Sequence, residues 1–267
     1  MLPYCNNNSQ TRERERMEIT QMRHEDDDMI EFHKTPGSRC RDDTIMEITI
    51  QGGDDIVDLY NAVAIGCTTT LKSLIDKDPR ILHKISLTTF SETPLHISAL
   101  LGHLDFTKTL LTQNPRLAIE LDSHKCCPLH LASFEGHVEI VQELLTIYED
   151  ACLFHDQNGR IPLHHATMRG RVDVVEKLII AWPNSVRVVL DGNETVLHLC
   201  DKYNQLKALD LLVKSLSDDG DFLNFKTFVD GNTILHLAVM QKQIEIAFYL
   251  FLEYTCKNHF TATHEHP

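Results

Sequence analysis

Histidines are the residues whose number and spacing first raise the question of chemistry in this chain. There are 16, and five follow one another at intervals of 34, 34, 34 and 38 residues: His96, His130, His164, His198 and His236. Imidazole is the commonest metal ligand and a frequent general base near neutral pH. Each of the five directly follows a leucine and lies in an apolar segment. The fixed interval therefore indicates a repeated structural unit rather than one reactive centre.

The remaining residues that often carry chemistry do not form a recognisable motif. Eight cysteines are scattered along the chain without zinc-type pairing, and Cys126–Cys127 is the only close pair. Neighbouring thiols rarely form an unstrained disulfide, so we interpret the cysteines as reduced thiols. Gly52 and Gly53 lack the lysine of a phosphate-binding loop, and no nucleophile elbow occurs. The sequence predicts no catalytic residues, no cofactor and no metal ion.

The charge of the chain narrows the classes of partner. There are 25 basic and 39 acidic residues, which gives a net charge of −14. Such a surface repels phosphate groups, so nucleic acid and anionic membranes are poor partners. No apolar run reaches the roughly 18 residues that a membrane span needs. We expect a cytoplasmic protein that does not insert into a membrane directly.

The second full copy of the repeated unit predicts a pair of helices. Thr93 is a good N-cap, and Pro94 suits the first helical turn, where no N–H donor is needed. Gly102 can adopt the left-handed conformation that ends a helix. The apolar residues of 104–111 then predict a second helix antiparallel to the first.

Composition divides the chain into three parts. Residues 1–50 are rich in charge and amide groups and have few periodic apolar residues, which predicts a disordered segment. Residues 54–254 contain the repeats, and 255–267 form a polar tail. The first repeat lacks the Thr-Pro start, as expected for an end repeat with one face in solvent. Met1 and Met46 remain alternative starts of the native protein.

The T-P-L-H-x-A core with a period near 33 resembles the ankyrin-repeat family over 54–254. The resemblance implies an all-α solenoid of about six helix-turn-helix repeats with short β-turn hairpins. It also implies non-catalytic protein binding, with the motif histidines bonded to backbone near the loops. Stacked repeats place equivalent residues about 10 Å apart, whereas zinc needs ligands near 2 Å, so these histidines cannot share a metal ion.

Three short segments of this chain resemble those of plant ankyrin proteins of the accelerated-cell-death type. They are Asp78-Pro79 and Asn114-Pro115 after the second helices, and the segment DGNTILHLAV at 230–239. In that family a PGG-motif domain with membrane-spanning helices follows the repeats, and no such segment follows Tyr254 here. The resemblance implies an adaptor or regulator in plant defence signalling, peripheral at the plasma membrane through a partner. The alternative is a soluble, truncated cytosolic domain that associates with full-length, membrane-anchored relatives through Ile246–Tyr254.

The resemblance also implies where a protein partner binds. In this family the hairpin tips and the exposed side of the first helices form a concave binding face. The matching hairpin residues are Phe90, Lys125 and Arg160, and the helix residues are Leu100, Phe134, Glu135, Met168, Arg169, Lys202, Tyr203 and Met240. Aromatic, methionine and arginine side chains are favoured at protein interfaces. The alternative is that Leu100, Phe134 and Met168 pack between adjacent repeats.

Overall fold

The computed structural model describes residues 54–85, 92–216, 220–227 and 230–252. The predicted disordered segment, the predicted polar tail and the candidate site residue Phe90 lie outside these ranges. The predicted last helix is described as far as residue 252, and no described helix is long and apolar enough to cross a membrane.

The described residues form six pairs of helices, in agreement with the predicted all-α repeat fold. The first helices of the six repeats are Asp54–Ala64, Pro94–Leu101, Pro128–Glu135, Pro162–Met168, Val196–Lys202 and Ile234–Met240. The second helices are Thr68–Lys77, Leu104–Gln113, Val138–Ile147, Val172–Ala181, Leu206–Ser215 and helical residues 244–252. We number the repeats one to six in this order.

The start of each first helix after repeat one follows from its sequence. In repeat two the Thr93 side chain accepts a hydrogen bond from the His96 N–H, and Pro94 occupies the first helical position. The His96 Nδ1 accepts from the Thr93 N–H at 3.2 Å. This reciprocal pair satisfies N–H groups that would otherwise be unpaired at the helix start.

The turn between the two helices requires positive φ in every repeat described. Gly102 and Gly136 adopt φ of 80° and 91°. Asn204 and Lys242 occupy the same position in repeats five and six, with φ of 55° and 60°. These two residues thus replace the turn glycine of the other repeats. Lysine is strained in this conformation by about 1 kcal/mol relative to glycine.

The residue after this turn links each repeat to the one before it. The His137 Nε2 lies 3.0 Å from the Leu100 carbonyl oxygen, and Arg171 Nε donates to the Phe134 carbonyl at 3.1 Å. The same link is made by His103, Gln205 and Gln243 in the other repeats. These side chains satisfy carbonyls at the ends of first helices, which have no partner within their own helix.

Apolar side chains between the stacked pairs form one continuous core. The first helix of repeat three packs against the first helices of repeats two and four, and the second helices stack in the same order. Leu95, Leu129, Leu163 and Leu197 are fully or almost fully buried in that core. Because each repeat covers the apolar face of its neighbour, stability comes from the array as much as from any one repeat.

The connections between repeats differ in part from the expectation. Short 3-10 helices follow three of the second helices: Pro115–Ile119, Glu149–Leu153 and Pro183–Arg187. The hairpins are turns rather than strands, and the described residues contain one isolated antiparallel bridge, Val189–Thr195. The interval of 38 residues between His198 and His236 is four longer than the others, and this connection contains a short helix, Gly220–Leu223.

Candidate protein-binding face

The hydrogen bonds of the five motif histidines indicate a structural role. In each of repeats two to six the histidine Nδ1 accepts the N–H of the N-cap residue, at 3.0–3.4 Å. The Nε2 of His96 lies 3.0 Å from the Cys126 carbonyl oxygen, and that of His130 lies 3.2 Å from the Arg160 carbonyl oxygen. Since Nδ1 accepts, Nε2 carries the proton and donates to the next hairpin. For these two residues the implied hydrogen bonding between repeats is confirmed.

Burial keeps four of these imidazoles, those of His96, His130, His164 and His198, neutral. Removal from water lowers the pKa of His130 and of His164 to about 3, and it also lowers the pKa of His96 and His198. A neutral ring with both nitrogens in hydrogen bonds has no free lone pair for a metal or a substrate proton. The rings of His96 and His130 therefore stabilise the stack and are not available for chemistry.

Several exposed or half-buried side chains lie at the ends of the first helices, and we call this surface the first-helix face. We define it by Leu100, Phe134, Glu135, Arg169, Lys202, Tyr203 and Met240. Its centre is Phe134, which is half-buried, with the Arg169 guanidinium 4.6 Å above the ring centroid. The imidazole of His165 meets the same ring edge-on at 6.1 Å. Phe134 is therefore held in place from two sides while part of its ring stays open.

A second cation–aromatic pair lies on the following repeat. The Lys202 Nζ is 5.9 Å from the centroid of the Tyr203 ring, and both side chains are half-buried. At the edge of repeat three, Glu135 faces the Arg171 guanidinium at 3.8 Å. Leu100 is half-buried, and Met240 is 66% exposed. The structure pairs Phe134 with Arg169 and Lys202 with Tyr203, and all the helix candidates but one are exposed or half-buried. That they form one binding face stays a prediction.

That exception is Met168, which is buried at 6% exposure and does not belong to the accessible face. For this residue the alternative interpretation, packing between repeats, is correct. Arg160 was expected at an exposed hairpin tip, but it is only 8% exposed. Its N–H donates to the Asp156 carboxylate at 2.8 Å. Lys125 is exposed at its hairpin, with φ of 61°.

A cluster of three buried residues next to this face was not predicted from the sequence. The side chains of Cys126, Asp156 and His165 place one ligand-type atom each within 4.8 Å of one another. The His165 Nε2 is 2.9 Å from Asp156 Oδ2. A signal was present in the sequence, because His165 occupies a position at which repeats two, three, five and six have isoleucine or leucine.

The last described helix has an apolar outer surface. Ile246 and Leu250 are buried in the apolar core. Ile244, Phe248 and Phe251 are exposed on the same helix, with Phe248 at 63%. The predicted contact segment Ile246–Tyr254 therefore has two kinds of residue in its described part. The buried residues stabilise repeat six, and the exposed ones face outward.

Comparisons with known families agree with the stacked helix pairs. A family model described as ankyrin repeats (3 copies) matches residues 59–154, and a model of the single ankyrin repeat matches 158–187. No curated protein matches the chain. The matched span contains the first four repeats, and repeats five and six continue the same helix pair, capping pattern and turn. The chain is an ankyrin-repeat protein.

Proposed function

We propose that this chain is a non-catalytic adaptor or regulator that binds a protein partner on the first-helix face. The observation that carries the proposal is the Phe134 ring with Arg169 stacked over it at 4.6 Å. An aromatic ring and an arginine that hold each other in place lose little side-chain entropy on binding. Such residues make the largest contributions at many protein interfaces.

The chemistry of the face favours an extended peptide or a helix as the bound segment. Phe134 and Met240 offer apolar contact, and Arg169 and Lys202 bring positive charge to a chain whose net charge is −14. A partner segment with apolar side chains and carboxylates would complement both features. Ankyrin repeats in general bind proteins and are typically non-catalytic, which agrees with this proposal.

The test is an affinity capture with the full chain and two matched variants. The first variant carries Phe134→Asp and Arg169→Glu, which removes the central pair and changes the charge by −3. The control carries Ile180→Asp and Lys72→Glu on second helices. Both control residues are exposed, and the charge changes by the same amount. Quantitative mass spectrometry compares the captured proteins, and circular dichroism confirms that each variant is folded.

The proposal expects at least one protein captured by the parent chain and by the control to be lost from the first-helix variant. Loss of a hot-spot pair of this kind lowers affinity by a factor of about 30 or more. If all three baits capture the same proteins in equal amounts, the first-helix face is not the binding site.

A second candidate function is association with another protein through the last helix. Ile244, Phe248 and Phe251 are exposed on one helix, and contiguous exposed apolar side chains often mark an interaction surface. In this alternative the chain is a cytosolic domain that associates with a membrane-anchored relative. Phe248→Ser with Phe251→Ser should then abolish capture of such a relative, whereas the first-helix variant should not.

The finer assignments rest on the sequence resemblance. We propose a cytoplasmic location, with which the five free cysteines of the described chain agree. A role in plant defence signalling, peripheral at the plasma membrane, is the hypothesis that a captured partner would test directly. A partner from another cellular process would contradict it.

A further inference from the structure

The cluster of Cys126, Asp156 and His165 lies where the hairpin of repeat three meets repeat four. All three side chains are at most 5% exposed. Their three candidate donor atoms, a thiol sulfur, a carboxylate oxygen and an imidazole nitrogen, lie within 4.8 Å of one another. None of the three belongs to the motif that builds the helix pairs.

Two of the three residues depart from their position in the other repeats. At the position of His165 the other full repeats have Ile97, Leu131, Leu199 and Leu237, all apolar. At the position of Cys126 they have Glu92, Arg160, Glu194 and Asn232. The departures occur in different repeats, and the stack brings them together at one point. The fold itself requires neither substitution, because the other repeats form without them.

The backbone around the cluster holds its members in fixed positions. Asp156 Oδ1 accepts the N–H groups of Asn158 and Arg160, each at 2.8 Å, which leaves Oδ2 directed to His165. The Cys126 N–H donates to the Asp122 carboxylate at 2.8 Å. Hydrogen bonds of this kind orient ligands around metal ions in proteins.

The distances suit a small tetrahedral cation. Zinc binds sulfur at about 2.3 Å and nitrogen or oxygen near 2.0 Å, which puts neighbouring ligand atoms about 3.3–3.8 Å apart. The His165 Nε2 and Asp156 Oδ2 are already closer, at 2.9 Å. Zinc binding therefore requires small movements of the donor atoms, from spacings of 2.9 Å to at most 4.8 Å towards the tetrahedral spacing.

The donor set also suits a divalent cation in its charge. Asp156 contributes a carboxylate oxygen to the cluster, and the Asp122 carboxylate accepts the Cys126 N–H at 2.8 Å. A divalent ion neutralises a carboxylate and binds cysteine as the thiolate.

We propose that Cys126, Asp156 and His165 bind one zinc-class divalent ion, with water completing the coordination. Sulfur, nitrogen and oxygen together select zinc or cobalt over magnesium and calcium, which prefer oxygen ligands alone. On binding, the Cys126 thiol loses its proton to solvent and no electron is transferred. The ion links the hairpin of repeat three to the first helix of repeat four.

Cobalt(II) titration of the full chain tests the proposal, because thiolate–cobalt coordination gives a charge-transfer absorption band in the near ultraviolet. His264→Ala and His266→Ala are included in every sample to remove imidazoles that bind metal without structure. We expect one cobalt ion per chain, displacement by zinc, and a Kd in the micromolar range or tighter. Absence of the band at stoichiometric cobalt overturns the proposal.

Matched variants identify the ligands. Cys126→Ala should abolish the band, whereas Cys152→Ala should retain it. Cys152 is also a buried thiol, and the preceding repeat has Ala118 at its position, so this control keeps the fold. His165→Leu restores the residue type of the neighbouring repeats and should lower cobalt affinity by at least about tenfold. A band that persists in Cys126→Ala at full intensity assigns the metal to another thiol and overturns the site.

Discussion

Asp201 is a buried carboxyl group at a position where a charge is unfavourable. It lies in the first helix of repeat five at 0% exposure, and neither carboxylate oxygen has a hydrogen-bond partner in the described part of the chain. Repeats two, three and four have Ala99, Ser133 and Thr167 at the same position. Burial raises the pKa of Asp201 from 3.8 to about 7.

The sign of the effect on stability follows from this shift. The folded protein binds the Asp201 proton more tightly than the unfolded chain, so protonation favours folding. The contribution of the Asp201 proton to the free energy of unfolding is fully present below the unfolded pKa of 3.8. It is lost as the pH rises to the folded pKa of about 7. At about 1.4 kcal/mol per pH unit, the interval from 3.8 to about 7 corresponds to a loss of about 4 kcal/mol. At about pH 5 the loss is about 2 kcal/mol by the same linkage relation.

Asp201→Ser removes this loss and installs the residue that repeat three has at the same position. We expect the variant to be more stable than the parent chain at every pH above 4, by about 2 kcal/mol near pH 5 and about 4 kcal/mol near pH 8. Urea unfolding followed by circular dichroism at the two pH values measures the difference. Taking the difference between the two proteins cancels the contribution of the buried histidines, which they share.

Asp173→Ser serves as the control, because Asp173 is exposed in the second helix of repeat four. Its effect on the free energy of unfolding should be small and the same at both pH values. If Asp201→Ser also gives a difference that does not change with pH, the carboxyl is ionised or hydrogen-bonded in the folded state. The reasoning from burial would then be wrong.

Three further outcomes test the turns and thiols. Gly136→Ala should destabilise the protein more than Gly159→Ala in urea unfolding. Both have positive φ, but a Cβ at Gly136 would lie 2.7 Å from Arg171 Cδ, and one at Gly159 meets nothing within 4 Å. Lys242→Gly should raise stability by about 1 kcal/mol in the same assay, because it relieves positive φ. The Thr69 and Thr70 hydroxyls lower the pKa of Cys67 to about 7, so peptide mapping should show its alkylation ahead of buried Cys200 near neutral pH.

The helix pairs could be predicted from the sequence because their signals are local. Thr93 and Pro94 specify a helix start through one cap and one missing N–H donor, and the structure has that start. Positive φ at Asn204 and Lys242 was also predictable, because each aligns with a glycine in the other repeats. These features depend on a few neighbouring residues, and the repetition of the motif made their alignment secure.

Burial on the binding face was harder to predict, because it depends on neighbouring repeats. Phe134 and Met168 occupy equivalent positions, yet one ring stays partly open and the other side chain is only 6% exposed. Arg160 likewise lies in a hairpin position that suggests exposure, but its backbone joins the turn around Asp156. Alignment of the repeats shows which residues occupy equivalent positions. It does not show how large the neighbouring side chains are, and that size decides how far each residue is buried.

His165 differs in its contacts from the motif histidine beside it. His164 is the motif histidine, and its Nδ1 accepts the Ile161 N–H as in every full repeat. His165, the next residue, stands at an apolar position and makes its contacts with Asp156 and, across the repeat boundary, with Phe134. His165 therefore differs from the motif histidine in the partners of its side chain, which lie outside the helix start. The same imidazole borders both the proposed metal cluster and the proposed binding face.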